Sequence, residues 1–447
     1  MPSCCLHPLP YRADATEYFA AVHQAPGAVL LDSARPGSGR GRFDLLSAWP
    51  EQLYSAMPGE QGAVFLQRLR QGLKELGDAQ LPEGSELPFA GGLIGYLSYD
   101  FGRRLEQFSS PNLDDLKLAH THLGLYAWAL VSDHQACTSQ LVFHPSLAES
   151  RRNALIAIFE GAPPTASATW KLTQPMRSEV DASAYRQAFD RIQAYIAAGD
   201  CYQVNLTRRF SGRCEGDPWV AYKALRAACP TPFSGFLRLG DEAAILSHSP
   251  ERFMEVHRRR VETRPIKGTR PRGATAQADA ALAAELLASP KDRSENLMIV
   301  DLLRNDLGRA CRIGSVKVPE LFALESYPNV HHMVSSVTGE LAAGKDPLDL
   351  IASSFPGGSI TGAPKIRAMQ IIDEVEPTQR AIYCGALLYL DVRGEMDSSI
   401  AIRTLLVREG QVACWGGGAV VGDSQWEAEF EESFIKVQVL LETLAGV

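Results

Sequence analysis

The chain has 447 residues, 45% hydrophobic and 21% charged, an ordinary composition for a globular protein with one large core or two to three domains. Its 44 basic against 52 acidic residues give a net charge of −8, which argues against a nucleic-acid binder but leaves room for a local cationic pocket around an anionic substrate. No apolar run approaches the ~20 residues of a membrane span, the N-terminus lacks a basic-then-apolar leader, and the nine cysteines form no C-x-x-C pair, so the expected setting is the reducing cytoplasm.

Residues 160–180 are rich in small residues and proline and keep no period; they read as a crossover between an N-terminal region over 1–165 and a larger one over 180–447. Asp181 or Ser183 can cap a helix that places Tyr185, Phe189, Ile192 and Ile196 on one face and stops at Gly199. In C-Y-Q-V-N-L-T (201–207) apolar and polar residues alternate, which predicts a strand with one polar face. Helical patterns follow at 277–288, 292–307, 364–375 and 424–444. Residues 329–338 look strand-like, and 382–416 read as a meander of two strands joined at R-G-E (393–395) and a third after E-G-Q (409–411). Strand runs interrupted by such helices indicate an α+β protein whose helices pack outside antiparallel sheets.

Several residues stand out chemically. Lys267 lies in R-P-I-K-G-T-R-P-R-G (264–273), framed by proline and glycine and close in sequence to Arg264, Arg270 and Arg272. An ordinary lysine is less than about 0.1% neutral at pH 7, and nearby positive charge or burial raises that fraction. Glu251, 16 residues upstream in S-H-S-P-E-R-F, is near enough for a hairpin to bring the two side by side. Glu295 shares a helix face with Met298, Ile299 and Leu302, and 297–303 is apolar nearly all round, which implies burial and a need for a metal or for an ion pair with Arg293 or Arg304. His332 is read as a core histidine on this pattern alone.

The segment G-G-S-I-T-G-A-P-K (357–365) opens a helix with Pro364 in its first turn, and lacks the residues of a phosphate loop. Arg403 falls on an apolar strand face with Ala401 and Leu405, where its fork favours a carboxylate or phosphate, either an internal Asp or Glu or a ligand. In the last helix Phe430, Phe434, Val437, Leu441 and Leu444 form the core stripe, with Glu429, Glu432 and Lys436 along one solvated flank. Ser424 and Glu427 have capping-box spacing. The glycines of G-G-G-A-V-V-G (416–422) allow close approach of a ligand. Carboxylates from two helices above such a floor suit Mg²⁺, which takes one or two protein carboxylates and completes its shell with water and substrate.

Taken together these segments resemble the chorismate-utilising enzymes, the family of anthranilate synthase and aminodeoxychorismate synthase large subunits. The blocks are G-D-C-Y-Q-V-N-L (199–206), S-P-E-R-F, P-I-K-G-T-R-P-R-G, D-R-S-E-N-L-M-I-V-D-L-L-R-N-D-L-G-R (292–309), G-S-I-T-G-A-P-K, I-A-I-R-T (400–404) and the closing E-x-x-E-x-x-x-K (429–436). L-L-D-S-A (30–34), G-R-F-D (41–44) and G-G-L-I-G-Y (91–96) extend a looser match into the N-terminal third. The resemblance implies two large antiparallel β-sheets packed as a sandwich with helices on the outside. It also implies a catalytic set of Lys267, Glu251 and His332, and Mg²⁺ held by Glu295 and Glu432 with Glu429 as a third or water-mediated ligand. Arg403, Thr361, Gly362, Ala363, Gly417, Gly418 and Lys436 would line the substrate pocket, and Ser33 and Pro232 would mark a tryptophan site in the N-terminal sheet.

Within the family, anthranilate synthases carry a small residue where this chain has Lys267. A lysine there implies attack on C2 of chorismate as the C4 hydroxyl leaves with a proton from Glu251, then replacement by ammonia at C4, toward para-aminobenzoate and folate. No cysteine lies in a G-x-C-x-G setting, so a separate glutamine amidotransferase subunit is the implied ammonia source. Two rivals stay open. One is an anthranilate synthase large subunit, which would release anthranilate. The other is a non-catalytic subunit that binds an aromatic amino acid or activates the amidotransferase.

Overall fold

A computed structural model describes residues 1–34, 41–161, 168–241, 243–327 and 330–447. Two antiparallel sheets, of twelve and ten strands, organise the described chain. The larger runs from Cys5–Leu9 at one edge through Val29–Asp32, Phe233–Gly240, Ala243–Ser249, Thr404–Arg408 and Gln411–Val420 to Gln203–Gly216 and Gly362–Ala363. The smaller includes Ile266–Pro271, Val330–Glu340, Arg260–Thr263, Arg252–His257, Met396–Ile400, Ala386–Asp391 and Gly92–Leu97. Strands from 1–165 and from 180–447 share both sheets, as at Leu30↔Phe236 and Leu93↔Leu390.

Alternation along the strands explains the layering. Ile245 and Leu406 join Leu93, Met254 and Leu388 in a core shared by the two sheets. Their neighbours Ala244, Leu246, Leu405 and Val407 face the opposite way, with Trp219, Tyr222 and Val437 of the covering helices. Central strands of the larger sheet are therefore buried on both faces. So is the polar face predicted for 201–207: Gln203, Asn205 and Thr207 are all buried.

The predicted helices form with small shifts, as Ala182–Ala197, Ala276–Ala288, Pro290–Gly308, Lys365–Val375 and Trp426–Ala445. The Asp181 side chain accepts from the Ala184 amide at 2.8 Å, and Gly199 takes φ +79° just past the other end. Pro364 sits one residue outside its helix, at the N-cap. Part of the predicted crossover, 162–167, and Asn329 of the 329–338 strand lie outside the described residues; Trp170–Ser178 is a strand paired with Gln203–Gly216 rather than a connection.

The meander differs from expectation in a way that matters for function. Its second strand is two strands, Met396–Ile400 in the smaller sheet and Thr404–Arg408 in the larger, joined by a bend at 401–403 where Arg403 takes φ +49°. Arg403 thus lies at a crossing between sheets, not on a strand face with Ala401 and Leu405. A second crossing runs from Ala243–Ser249 to Arg252–His257 and carries Glu251. Backbone bonds stitch the two together: the His248 amide donates to the Arg403 carbonyl, and the Ile400 amide to the Glu251 carbonyl, each at 3.0 Å.

Candidate active site

Glu251 and Lys267 are neighbours, brought together as expected by a hairpin: Arg252–His257 pairs antiparallel with Arg260–Thr263, turning at His257↔Arg260, and the Ile266 amide reaches the Glu251 carboxyl. The Glu251 carboxyl is buried, and burial raises its pKa to about 6 against the opposing pull of Lys267, the Ser359 hydroxyl, the Ile266 amide and Lys436. Lys267 is half-buried, with Nζ donating to the Ser359 carbonyl at 3.3 Å. Burial lowers its pKa, Lys436 adds to that effect, and Glu295, Glu251 and Glu432 oppose it. The register shifts between Ile266 and Thr269, so the lysine sits in an irregularity of its strand. Gly268 follows at φ +82°, where a Cβ would stand 2.8 Å from Leu286 and 2.9 Å from Asp292.

The three arginines around Lys267 in sequence do not serve it. Arg264 pairs with Glu262, Glu320 and Glu325, Arg270 with Glu285 and Asp292, and Arg272 with Asp279. The positive charge facing the amine is Lys436, 169 positions along the chain.

Raising the pKa of a buried acid costs stability wherever the acid is ionised. Unfolded, a glutamate titrates near 4.5; folded, Glu251 titrates near 6, so its stability contribution is full below pH 4.5 and lost as pH rises through 6. Glu251→Gln, which cannot ionise, is expected to gain roughly 2 kcal/mol over the native chain at pH 8. Denaturant titrations at pH 8 and pH 5 check this: the gain should shrink at the lower pH, and an equal difference at both would refute the cause given.

Three glutamates face the same region. Glu295 is mostly buried, and burial raises its pKa against Lys267 and Lys291; among the described residues the cation within ion-pair distance is Lys291, Nζ at 4.0 Å, while Arg293 covers the Phe322 ring and Arg304 pairs with Asp301. Its helix is not buried all round, since Leu297 is 52% exposed. Glu429 is 3% exposed rather than on a solvated flank. Its pKa is raised by burial and by Glu432. The predicted Ser424–Glu427 capping box does not form: Gln425 is the N-cap without a side-chain bond, and Ser424 Oγ donates to Glu429 Oε1 at 2.8 Å. Glu432 is half-exposed; burial works against its charge, but Lys436 Nζ, 2.6 Å from Oε1, prevails and holds its pKa down. Lys436 also donates to the Gly417 carbonyl at 2.8 Å.

A hard cation suits this set, although among the described residues no group of three His, Cys, Asp or Glu side chains is close enough to hold one by itself. Glu429 Oε2 is buried without a hydrogen-bond partner, an arrangement that is costly unless something completes it. A Cβ at Gly418 would stand 2.7 Å from that oxygen and 3.2 Å from Glu432 Oε1, so glycine leaves the space in front of both carboxylates clear.

The remaining candidates fall around this centre, with one pair elsewhere. His332 is buried, its pKa pushed to about 4 by burial, Arg403 and His331, and Nδ1 lies 2.8 Å from Thr269 Oγ1. At pH 7 it is neutral, and it faces Arg403, for whose guanidinium no carboxylate partner is found among the described residues. Thr361 spends its hydroxyl on the Gly357 carbonyl at 3.0 Å, while Gly362 and Ala363 pair with Val204 and Gln203. Ser33 is buried and donates to Asp44 Oδ1, and Pro232 lines a separate cavity of about 670 Å³ between the N-terminal strands and Arg252, Arg264 and Asp397. Ser359 carries no chemical signal in the sequence beyond its place inside the 357–365 motif. Its carbonyl meets the lysine and its hydroxyl the acid.

Comparison with known proteins identifies the family. Residues 28–442 match the family of chorismate binding enzymes. Aminodeoxychorismate synthase component 1 of Klebsiella aerogenes is 44% identical over 448 residues, spanning 98% of each chain. Anthranilate synthase component 1 of Thermus thermophilus is 37% identical over 441 residues, spanning 96% of this chain and 94% of that one. The crystal structure of anthranilate synthase component I from Streptococcus pneumoniae superimposes with a TM-score of 0.79 at 28% identity, over 90% of this chain and 92% of the other.

Proposed function

The chain belongs to the family of chorismate binding enzymes, and from that premise we propose that it aminates chorismate at C4, as an aminodeoxychorismate synthase component 1. The observation that carries the reading is Lys267, a half-buried amine of lowered pKa beside the buried acid Glu251. Neutral Nζ adds to ring C2, the two ring double bonds shift, and the C4–O bond breaks; the hydroxyl leaves as water with the proton of Glu251. Ammonia then adds at C4, the double bonds shift back, the C2–Nζ bond breaks to return the amine, and the ammonium formed at C4 gives its extra proton back to Glu251. The sum is chorismate plus ammonia to 4-amino-4-deoxychorismate plus water, on the way to para-aminobenzoate and folate. Arg403, Lys436 and the segments carrying Thr361–Ala363 and Gly417–Gly418 hold the two substrate carboxylates, and neutral His332 borders the ring.

Glu295, Glu432 and Glu429 would hold Mg²⁺. Once bound it supplies positive charge against the ring carboxylate. Glu432→Gln is expected to weaken Mg²⁺ binding by about tenfold or more, measured by calorimetric titration of the substrate-free chain. EDTA should abolish turnover, and indifference to chelation removes the metal from the proposal.

Ammonia comes from a separate glutamine amidotransferase subunit. The designation of the Klebsiella relative as a component 1 supports a two-subunit arrangement. Tryptophan would sit in the cavity that Pro232 lines, with Ser33 next in sequence to its lining residue Asp32. A cytoplasmic location is supported by nine free cysteines and by the lack, among the described residues, of any helix long and apolar enough to cross a membrane. Incubating the isolated chain with chorismate, Mg²⁺ and ammonia tests the activity: 4-amino-4-deoxychorismate is expected, and released anthranilate would overturn the assignment within the family.

A further inference from the structure

Behind the candidate site lies an ion pair that the chemistry above does not use. Arg380 is 1% exposed. Its Nε donates to Glu376 Oε2 at 2.8 Å, one terminal nitrogen donates to the Ile360 carbonyl at 3.1 Å, and the other donates to both Glu376 Oε1 and the Asn205 carbonyl at 2.6 Å. The Tyr99 ring covers its face at 4.8 Å. Glu376 Oε1 also accepts from the Thr207 amide at 3.0 Å and hydroxyl at 2.8 Å, and the Asn205 amide donates to the Thr361 carbonyl at 2.8 Å. The bonds close a ring through the helix end, the strand Gln203–Gly216 and the Ile360–Thr361 backbone.

An apolar cluster of equal volume can often replace a buried ion pair without loss of stability. What it cannot do is hold two carbonyls on separate segments at a fixed spacing, which the planar fork of a guanidinium does. Thr361–Ala363 follow directly on the clamped residue, and Ser359, whose carbonyl accepts from Lys267, precedes it. The clamp is braced from the N-terminal side, where Asp100 accepts from the Ala381 amide at 2.9 Å and pairs with Arg103, which in turn pairs with Asp373.

We propose that Arg380 and Glu376 are positioning residues that hold Ser359–Ala363 in register with Lys267 and the substrate. The role in catalysis rests on the function proposed above; the clamping of the segment does not. Glu376→Gln keeps the shape of the side chain and removes its charge. In the full chain assayed with ammonia, it should raise the KM for chorismate about tenfold with a smaller fall in kcat. Hydrogen exchange of the Ile360 and Thr361 amides should quicken about tenfold, while amides of Ala243–Ser249 keep their protection. Thr207→Val removes only the hydroxyl tether and serves if the first variant does not fold; it should shift the same two readouts the same way by less. A folded variant with unchanged KM and unchanged exchange over 357–365 would overturn the proposal. If the native chain consumes no chorismate, the functional reading fails, and the exchange arm still decides the clamp.

Discussion

Lys267→Ala should lower formation of 4-amino-4-deoxychorismate by roughly a thousandfold or more, while binding of chorismate changes little. The amine is placed beside Glu251, and alanine leaves ammonia to attack the ring unaided. Direct attack at C2 would then produce an anthranilate-type product, so the variant should change what is made as well as how fast. The native chain mixed with chorismate and no ammonia should show an adduct by intact-protein mass spectrometry, and the variant none. Unchanged product formation by the variant would eliminate the covalent route.

Glu251→Gln should cost about 10²–10⁴-fold in kcat, the usual range for loss of a positioned proton donor. The pH dependence gives the sharper signature. The reactive state needs Lys267 neutral and Glu251 protonated. Below about pH 6 both groups carry protons and the amine is inert; above the lowered pKa of Lys267 both have lost them and no donor remains. Native kcat/KM should therefore be bell-shaped, with an acid limb near 6 that belongs to the pair as a unit. In the glutamine variant only the lysine titrates, so activity should rise with pH and show no alkaline descent up to the Lys267 pKa and beyond. Persistence of the descent would assign the proton donor to another group.

Local pattern predicted the helices well, because each long amphipathic run is packed on a sheet with little to override it. The crossing at Arg403 escaped notice for a physical reason. A strand that leaves one buried sheet and enters another stays apolar on both sides of the bend, so 398–406 looks continuous. Ser424 shows a different limit: spacing to Glu427 suggested a cap, but the hydroxyl found a stronger acceptor in the desolvated Glu429. Glu429 itself looked solvated because helix-face counting ignores what faces the helix. Gly416 and Gly418 let the helix lie so close that a Cβ at 416 would stand 1.9 Å from the Ser433 carbonyl. Arg264 is drawn away from Lys267 in part by Glu325, 61 positions distant and outside any local window, whereas Asp279, the partner of Arg272, lies only seven residues on.

The two stitched crossings give the acid and Arg403 a stiff mounting, since each lies between a strand of one sheet and a strand of the other and is bonded to its neighbour crossing. The lysine has a softer seat, on a short strand that loses register at its own position. A group that must travel into a bond with carbon and back out again gains from such compliance, whereas a proton donor and a carboxylate anchor gain from standing still.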